Sequence, residues 1–235
     1  MNSLIMEALP TPSAERPSLL WPALAVAAVA VFFGFPGTGG DRLDHVFQSL
    51  FWNGKDWWIP HEAPLGKWLA YDGPKGLVIL FAVYLLFSAI FPARVPASFG
   101  RRRSLYLLAC FAMVSVVCTQ LRTVTHMATP IDLKLYGGVW DHLLLFQSKP
   151  VNYPSHAFPA GHASGGFALL GLYWALPPVR RNLGLAIGLG IGSWMGLYQV
   201  ARGEHFLSHT LATAALAWLM CAGLARWIKP GAPQA

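Results

Sequence analysis

The sequence predicts an all-α, polytopic membrane protein with six transmembrane helices, and three observations support this fold class. Of its 235 residues, 55% are hydrophobic and only 11% are charged, whereas soluble domains carry about 25% charged residues. Six apolar runs recur along the chain, each close to the ~17 to 20 residues that cross a ~30 Å hydrocarbon core. Lysine and arginine concentrate in alternate connections between these runs, as in chains that cross a membrane repeatedly. A length in this range fits one domain, which we predict over residues 19–228.

The predicted spans are bounded by polar or proline-containing segments. Residues 1–18 and 229–235 are predicted to be cytoplasmic tails. The six spans are predicted at 19–35, 76–92, 104–120, 162–176, 183–200 and 210–228. The fourth is short, and local thinning of the bilayer can absorb such a mismatch. Glycines 184, 188, 190, 192 and 196 of the fifth span favour close helix packing.

Residues 37–75 connect the first two spans and carry a further helical pattern. After Asp41, a possible helix cap, the apolar side chains fall at helical spacing: Leu43, Val46, Phe47, Leu50 and Phe51. Tryptophans at 52, 57, 58 and 68 follow, and tryptophan favours the headgroup level of a bilayer. We predict an interfacial amphipathic helix that forms a lip of the bundle; a rim through which lipid enters is the alternative interpretation.

The distribution of charge predicts the orientation of the chain. Basic residues occur after the second and fourth spans and after the sixth: Arg94, Arg101, Arg102, Arg103, Arg180, Arg181, Arg226 and Lys229. These connections are predicted to be cytoplasmic. All eight histidines then lie on the opposite side, which makes the outer face the expected place for chemistry. Because the basic residues are divided among several connections along the chain, the net charge of +7 indicates the orientation of the chain in a membrane rather than nucleic-acid binding. The three cysteines lie in apolar runs and are predicted to pack, without disulfide or metal.

The outer face supplies the groups that a phosphoester reaction requires. Such a site needs cations, a nucleophile and an acid that protonates the leaving oxygen. Arg122 and Arg202 can hold phosphate oxygens bidentately, and Gly161 lets the backbone approach an anion. His162 and His205 can divide the roles of acid and nucleophile. If the run 202–209 is helical, His205 and His209 share a face with Arg202.

These residues resemble the signature of the type 2 phosphatidic acid phosphatase (PAP2) superfamily of membrane lipid phosphatases, in a form similar to a bacterial branch. The family has three motifs, K-x6-R-P, P-S-G-H and S-R-x5-H-x3-D. Pro159-Ala160-Gly161-His162 is similar to the second, with alanine for serine. Arg122 and Thr129 stand at the lysine and arginine of the first. Tyr198-Gln199, His205 and His209 stand at the Ser-Arg, histidine and aspartate of the third. The resemblance covers residues 76–228, with the motif region at 122–209.

The resemblance implies a six-helix bundle in the bacterial inner membrane, with the site facing the periplasm. It implies that His205 forms a phosphohistidine, that His162 protonates the leaving group, and that no metal or other cofactor is used. The implied partner is a lipid phosphate in the membrane, and no nucleic acid. Lipid A and undecaprenyl pyrophosphate are the favoured substrates, with phosphatidylglycerol phosphate and phosphatidic acid as further candidates. Transfer of the phosphate to another lipid is an alternative outcome.

Three departures from the motifs require substitutes. Arg202, three residues after Gln199, is expected to replace the missing arginine. Lys134 is expected to compensate for Thr129 as a phosphate-binding cation. A neutral His209 can set the tautomer of His205 but brings no negative charge, which Asp132 or Asp141 would then supply.

Other classes of protein fit part of the pattern. His205 and His209 have the i, i+4 spacing of metal ligands, and His162 and His126 would complete a metalloenzyme site. Ser164 with His205 is similar to the dyad of an intramembrane serine protease, although His162 stands where such a motif needs glycine. A transporter or a lipid binder ranks last, because the sequence shows no internal repeat.

Overall fold

The computed structural model describes residues 17–60, 64–96 and 99–231, and the chain is helical through most of these ranges. Most of the predicted tail 1–18, the end of the tail 229–235 and His61 lie outside them. The helices are α1 (Leu20–Gly34), α2 (Gly40–Gln48), α3 (Pro64–Lys67), α4 (Gly73–Ile90), α5 (Arg101–Thr125), α6 (Ser164–Ala168), α7 (Leu172–Ala175), α8 (Arg181–Ala201) and α9 (Leu207–Ile228). A π-helical turn, Trp68–Asp72, joins α3 to α4 without a break.

Four helical stretches of the described residues are long and apolar enough to cross a membrane. They are Trp68–Ile90, Arg101–Asp132, Pro178–Ala201 and Leu207–Ile228, and they correspond to the second, third, fifth and sixth predicted spans. The first predicted span forms α1, which has 15 residues and is shorter than the ~20 that a straight crossing needs. By length and composition the structure therefore confirms four of the six predicted spans.

The fourth predicted span is a broken segment rather than a regular helix. Two 3-10 turns, Gly161–Ala163 and Leu169–Gly171, alternate with the short helices α6 and α7. The segment lies in the centre of the core, where Phe167 and Leu170 are each only 1% exposed. Packing against neighbouring helices therefore sets its backbone, and the predicted span at 162–176, although helical throughout, is not confirmed as a membrane-crossing helix.

Glycines of α8 allow this broken segment to pack against the helix. A Cβ atom on Gly188 would lie 2.6 Å from the backbone nitrogen of Leu170, and one on Gly192 would lie 2.3 Å from the ring of Phe167. No larger residue fits at either contact, so the predicted close packing is confirmed there. Gly190 has open space around its Cβ position and takes no part in the packing.

Helix α2 is amphipathic, but its polar face is the one that packs on the protein. Leu43 and Val46 are exposed, whereas Asp44 and Gln48 are buried. The amide of Gln48 donates a hydrogen bond to the carbonyl of Val200 at 2.8 Å, which joins α2 to the end of α8. A helix is present where the interfacial helix was predicted, but its N-cap is Gly39 rather than Asp41. It also ends before Leu50 and Phe51.

The arginine-rich and histidine-rich regions lie at opposite ends of the bundle. At the start of α5, Nε of Arg103 donates a hydrogen bond to the carbonyl of Pro230, just beyond the end of α9. At the other end of α5, the hydroxyl of Thr125 donates to the carbonyl of Phe158 at 2.6 Å, three residues before Gly161. The segregation of the two residue types along the bundle axis therefore agrees with the prediction.

Candidate active site

Four backbone ends meet at the histidine-rich end of the bundle: the last turn of α5, the start of the broken segment, the end of α8 and the start of α9. Helix α8 ends in a Schellman motif, in which Glu204 N–H bonds the carbonyl of Gln199 at 2.9 Å and Gly203 N–H bonds that of Val200 at 3.0 Å. Gly203 has a φ of 75°, which favours glycine. This turn directs the chain back towards α9, so Arg202 precedes a reversal instead of continuing the helix.

Three histidines form a continuous contact at this point. Nδ1 of His162 lies 3.1 Å from Nε2 of His205, and Nδ1 of His205 lies 3.4 Å from Nδ1 of His209. His205 and His209 are buried, and His162 is partly exposed. The fold therefore brings together the three residues that the sequence singled out as catalytic candidates, from segments about forty residues apart.

The environment of His205 keeps its ring neutral. Burial lowers its pKa well below the usual value for histidine, and the nearby imidazoles of His209 and His162 lower it further. The carbonyl of Ala157 opposes this shift as a hydrogen-bond acceptor. A neutral imidazole retains a lone pair on one nitrogen, which is the requirement for a nucleophile.

Three cations surround His162. Arg122 lies directly against Gly161, because a Cβ atom at that glycine would be 2.6 Å from Nη1 of the arginine. The guanidinium of Arg202, only 8% exposed, lies 5.4 Å from the centre of the Tyr198 ring. Lys75 at the start of α4 is the third cation whose charge acts on His162.

A cavity of about 340 Å³ opens beside His162. Its polar wall includes Lys75, Gly161 and Tyr71, and its remaining wall is largely apolar side chains of α4 and α5. An apolar groove of about 580 Å³ runs between α4 and α8, and Val78 borders both spaces. The site therefore offers a cationic end for an anion next to apolar surface for a hydrocarbon chain.

The sequence model of the PAP2 superfamily matches residues 103–231, which is more than half of the chain and includes all three histidines. The chain belongs to the PAP2 superfamily. Among solved structures, the PAP2 fold of this chain is similar to the first transmembrane PAP2 type phosphatidylglycerolphosphate phosphatase from Bacillus subtilis. The TM-score is 0.58 at 14% sequence identity, over 90% of this chain and 96% of that chain, so the likeness concerns the fold. No individual curated protein matches the sequence.

The remaining candidate residues of this PAP2 chain lie apart from the three histidines or have other partners. Lys134 forms an exposed ion pair with Asp141 at 2.8 Å and is not among the cations that act on His162. Asp132 accepts hydrogen bonds from the backbone and hydroxyl of Thr129 at 3.0 and 2.7 Å. Both carboxylates that were expected to supply charge near His209 thus have partners in the loop after α5.

The residues that suggested a serine protease or a metalloenzyme have other contacts in the structure. The hydroxyl of Ser164 donates to the carbonyl of Gly161 at 2.8 Å, whereas His205 contacts the other two histidines of the site. Within residues 17–60, 64–96 and 99–231, no group of three or more His, Cys, Asp or Glu side chains has an arrangement that could hold a metal ion. The cysteines Cys110, Cys118 and Cys221 are free and buried, as predicted for packing residues.

Lys75 is the residue of the cationic site that sequence reasoning missed. It lies 47 residues before Arg122, by subtraction of their numbers, in a segment that matches none of the three motifs. The only available signal was a lysine at the outer end of a predicted span, and such lysines often extend towards the interface without any role in chemistry.

Proposed function

We propose that this PAP2 chain is an integral membrane lipid phosphatase that acts without a metal ion, through a phosphohistidine on His205. The observation that supports this most directly is the 3.1 Å contact between Nδ1 of His162 and Nε2 of His205. This contact supports the proposal, because His162 in the role of acid and base would lie beside the imidazole of His205, at the edge of a cavity that Lys75 also borders. The reacting substrate is a phosphomonoester or a pyrophosphate of a lipid.

The reaction proceeds in two steps. Nε2 of His205 forms a bond to phosphorus while the bond from phosphorus to the leaving oxygen breaks, and the electron pair stays on that oxygen. His162 gives this oxygen a proton. Water then attacks phosphorus, His162 accepts a proton from the water, and the N–P bond breaks to release phosphate and restore the lone pair of His205.

Fixed positive charge stabilises the phosphoryl oxygens in both steps. Arg122 and Arg202 present guanidinium groups, which suit phosphate oxygens, and Gly161 leaves room for Arg122 to approach. Lys75 provides the third cation, the role that the sequence suggested for Lys134. Since Lys134 already pairs with Asp141, we assign the third position to Lys75.

The site faces the periplasm in our proposal, with both termini in the cytoplasm and all six predicted spans crossing the inner membrane. The supporting observation is that the arginine-rich end of the bundle lies opposite the histidines. The apolar groove beside the cavity favours a lipid over a soluble phosphate ester. Lipid A and undecaprenyl pyrophosphate are the favoured substrates, and the phosphatidylglycerolphosphate phosphatase of similar fold adds phosphatidylglycerol phosphate as a candidate to be tested.

The test is a panel of lipid phosphates presented to the purified protein, with released phosphate and product mass both measured. We expect phosphate release that persists in EDTA and is lost in His205→Ala and His162→Ala, while both variants still insert and elute as folded protein. An acid-labile phosphoprotein should form in the parent and be absent from His205→Ala. Phosphate release by His205→Ala would refute the assignment of His205 as the nucleophile. Loss of activity in EDTA would favour the metalloenzyme class. A newly phosphorylated lipid product would show that the phosphate is transferred to another lipid.

A further inference from the structure

A buried nitrogen at the back of the site needs a partner. Nδ1 of His209 faces Nδ1 of His205 at 3.4 Å, and two nitrogens in contact cannot both carry a proton. Attack by Nε2 of His205 requires the proton of that ring on Nδ1, where it occupies the carbonyl of Ala157, the backbone acceptor that both rings share. His209 then carries its own proton on Nε2. His209 is 0% exposed, and its Nε2 has no hydrogen-bond partner among the described residues. An unpaired buried donor is unfavourable, so a partner for this nitrogen is expected.

One carboxylate shares a small buried cavity with His209. Asp44 of α2 and His209 both line a cavity of about 10 Å³, together with Ser208 and His142. A space of this size holds one water molecule at most. Asp44 is 4% exposed and accepts a hydrogen bond from the backbone N–H of Ser208 at 2.9 Å, so its position relative to the first turn of α9 is fixed.

The other groups around this cavity are already engaged or neutral. Nδ1 of His142 bonds Nε2 of His45 at 2.9 Å, and Nδ1 of His45 bonds the hydroxyl of Tyr136 at 2.9 Å. The remaining lining is mostly apolar side chains of α1 and of the loop after α5. Asp44 is therefore the one carboxylate among the residues that line the cavity.

We propose that Asp44 is a positioning residue for His205, acting through His209: its carboxylate accepts the Nε2–H of His209 across one water molecule in the cavity that both residues line. This inference rests on the proposed function. It supplies the acidic group that the family motif has at position 209 and this chain lacks there, and it brings that group from α2, outside the motif region. Burial raises the pKa of Asp44 to about 7, so this group carries its negative charge above that pH.

The proton count stays balanced in this arrangement. When Nε2 of His205 bonds phosphorus, the ring becomes cationic and its Nδ1–H becomes more acidic. That proton moves towards Nδ1 of His209, whose imidazolium then faces the Asp44 carboxylate through Nε2–H. When water breaks the N–P bond, the proton returns to Nδ1 of His205, and no proton leaves the three groups.

The decisive variant is Asp44→Asn, because the asparagine oxygen can still accept the Ser208 N–H while the charge is lost. We expect kcat to fall at least about tenfold, the value of a typical charged hydrogen bond, with KM and melting temperature close to those of the parent. Asp41→Asn removes a partly exposed carboxylate of the same helix and should leave kcat unchanged. If Asp44→Asn does not fold, Asp44→Ser, which also keeps a short acceptor, replaces it.

A double variant separates positioning from simple capping of α9. In a His209→Asn background, Asp44→Asn should have little further effect on kcat, because Asp44 acts only through His209. An Asp44→Asn protein with the kcat of the parent overturns the proposal, and so does an undiminished effect in the His209→Asn background. Failure of the proposed function looks different: the parent itself releases no phosphate from the lipid panel, or His205→Ala retains turnover.

Discussion

Replacement of Gly161 by alanine should lower activity without unfolding the protein. The new Cβ atom would lie 2.6 Å from Nη1 and 3.0 Å from Cδ of Arg122. Ordinary contacts begin near 3.4 Å, so the guanidinium must move by about 0.8 Å, the difference between 3.4 and 2.6. Since charged hydrogen bonds contribute about 1.5–3 kcal/mol each, displacement of one donor should reduce kcat/KM by about tenfold to a hundredfold.

The stability of Gly161→Ala should change less than its activity, because the atoms that must move belong to the side chain of Arg122, which one hydrogen bond from Nε to the carbonyl of His156 holds in place. Initial rates of phosphate release give kcat/KM. Thermal unfolding can be followed with a thiol-reactive dye, since the three cysteines are free and buried. Gly223→Ala is the control, because nothing lies within 4 Å of the Cβ position at Gly223. Full activity in Gly161→Ala would show that the position of Arg122 does not matter for phosphate binding, and equal losses in both variants would point to a general effect of added methyl groups.

Three further outcomes are expected. Arg202→Ala should lower kcat/KM by about tenfold or more, measured as phosphate release, whereas the exposed Arg42→Ala should not; equal losses would show that Arg202 has no special role. Gly192→Ala places a methyl group against a buried aromatic ring and should destabilise the fold by about 1–3 kcal/mol, with Gly190→Ala, in open space, as the unaffected control in thermal unfolding. The lowered pKa of His205 means that the unfolded chain binds a proton below pH ~6.5 that the folded chain does not. Stability is therefore lost on acidification, by up to about 1.4 kcal/mol per pH unit. The parent should lose more stability than His205→Asn between pH 6.5 and 5, because the variant lacks one buried imidazole, and parallel losses would contradict a buried neutral ring.

Local signals were sufficient to predict the long helices and the histidine cluster. The apolar runs around α4, α5, α8 and α9 are long enough that a membrane helix is the only common solution. His205 and His209 lie at the start of α9, and His162 lies at the start of the fourth predicted span. Because successive spans run in opposite directions, these three residues were predicted to lie at the same end of the bundle. The convergence of these residues follows from topology and needs no knowledge of side-chain packing.

The features that the sequence did not predict depend on contacts between distant segments. In the fourth predicted span, 3-10 turns alternate with short α-helices because Phe167 and Leu170 pack against glycines of α8. No pattern within the span itself could indicate this packing. In α2, the spacing of Leu43 and Val46 correctly indicated an amphipathic helix. It gave no indication that the polar face is the buried one, because an apolar stripe faces lipid or core equally well in a membrane protein.

The two unforeseen groups near the histidines come from the part of the chain before the region that the PAP2 family model matches. That region, residues 103–231, carries His205 and His162, which perform the chemical steps in our proposal. Lys75 on α4 and Asp44 on α2 lie before it, and in our proposals each supplies a charge for which the motif positions Thr129 and His209 have none. On these proposals a loss of charge within a motif need not inactivate the site, because helices that pack around the motif can bring an equivalent charge to the same space.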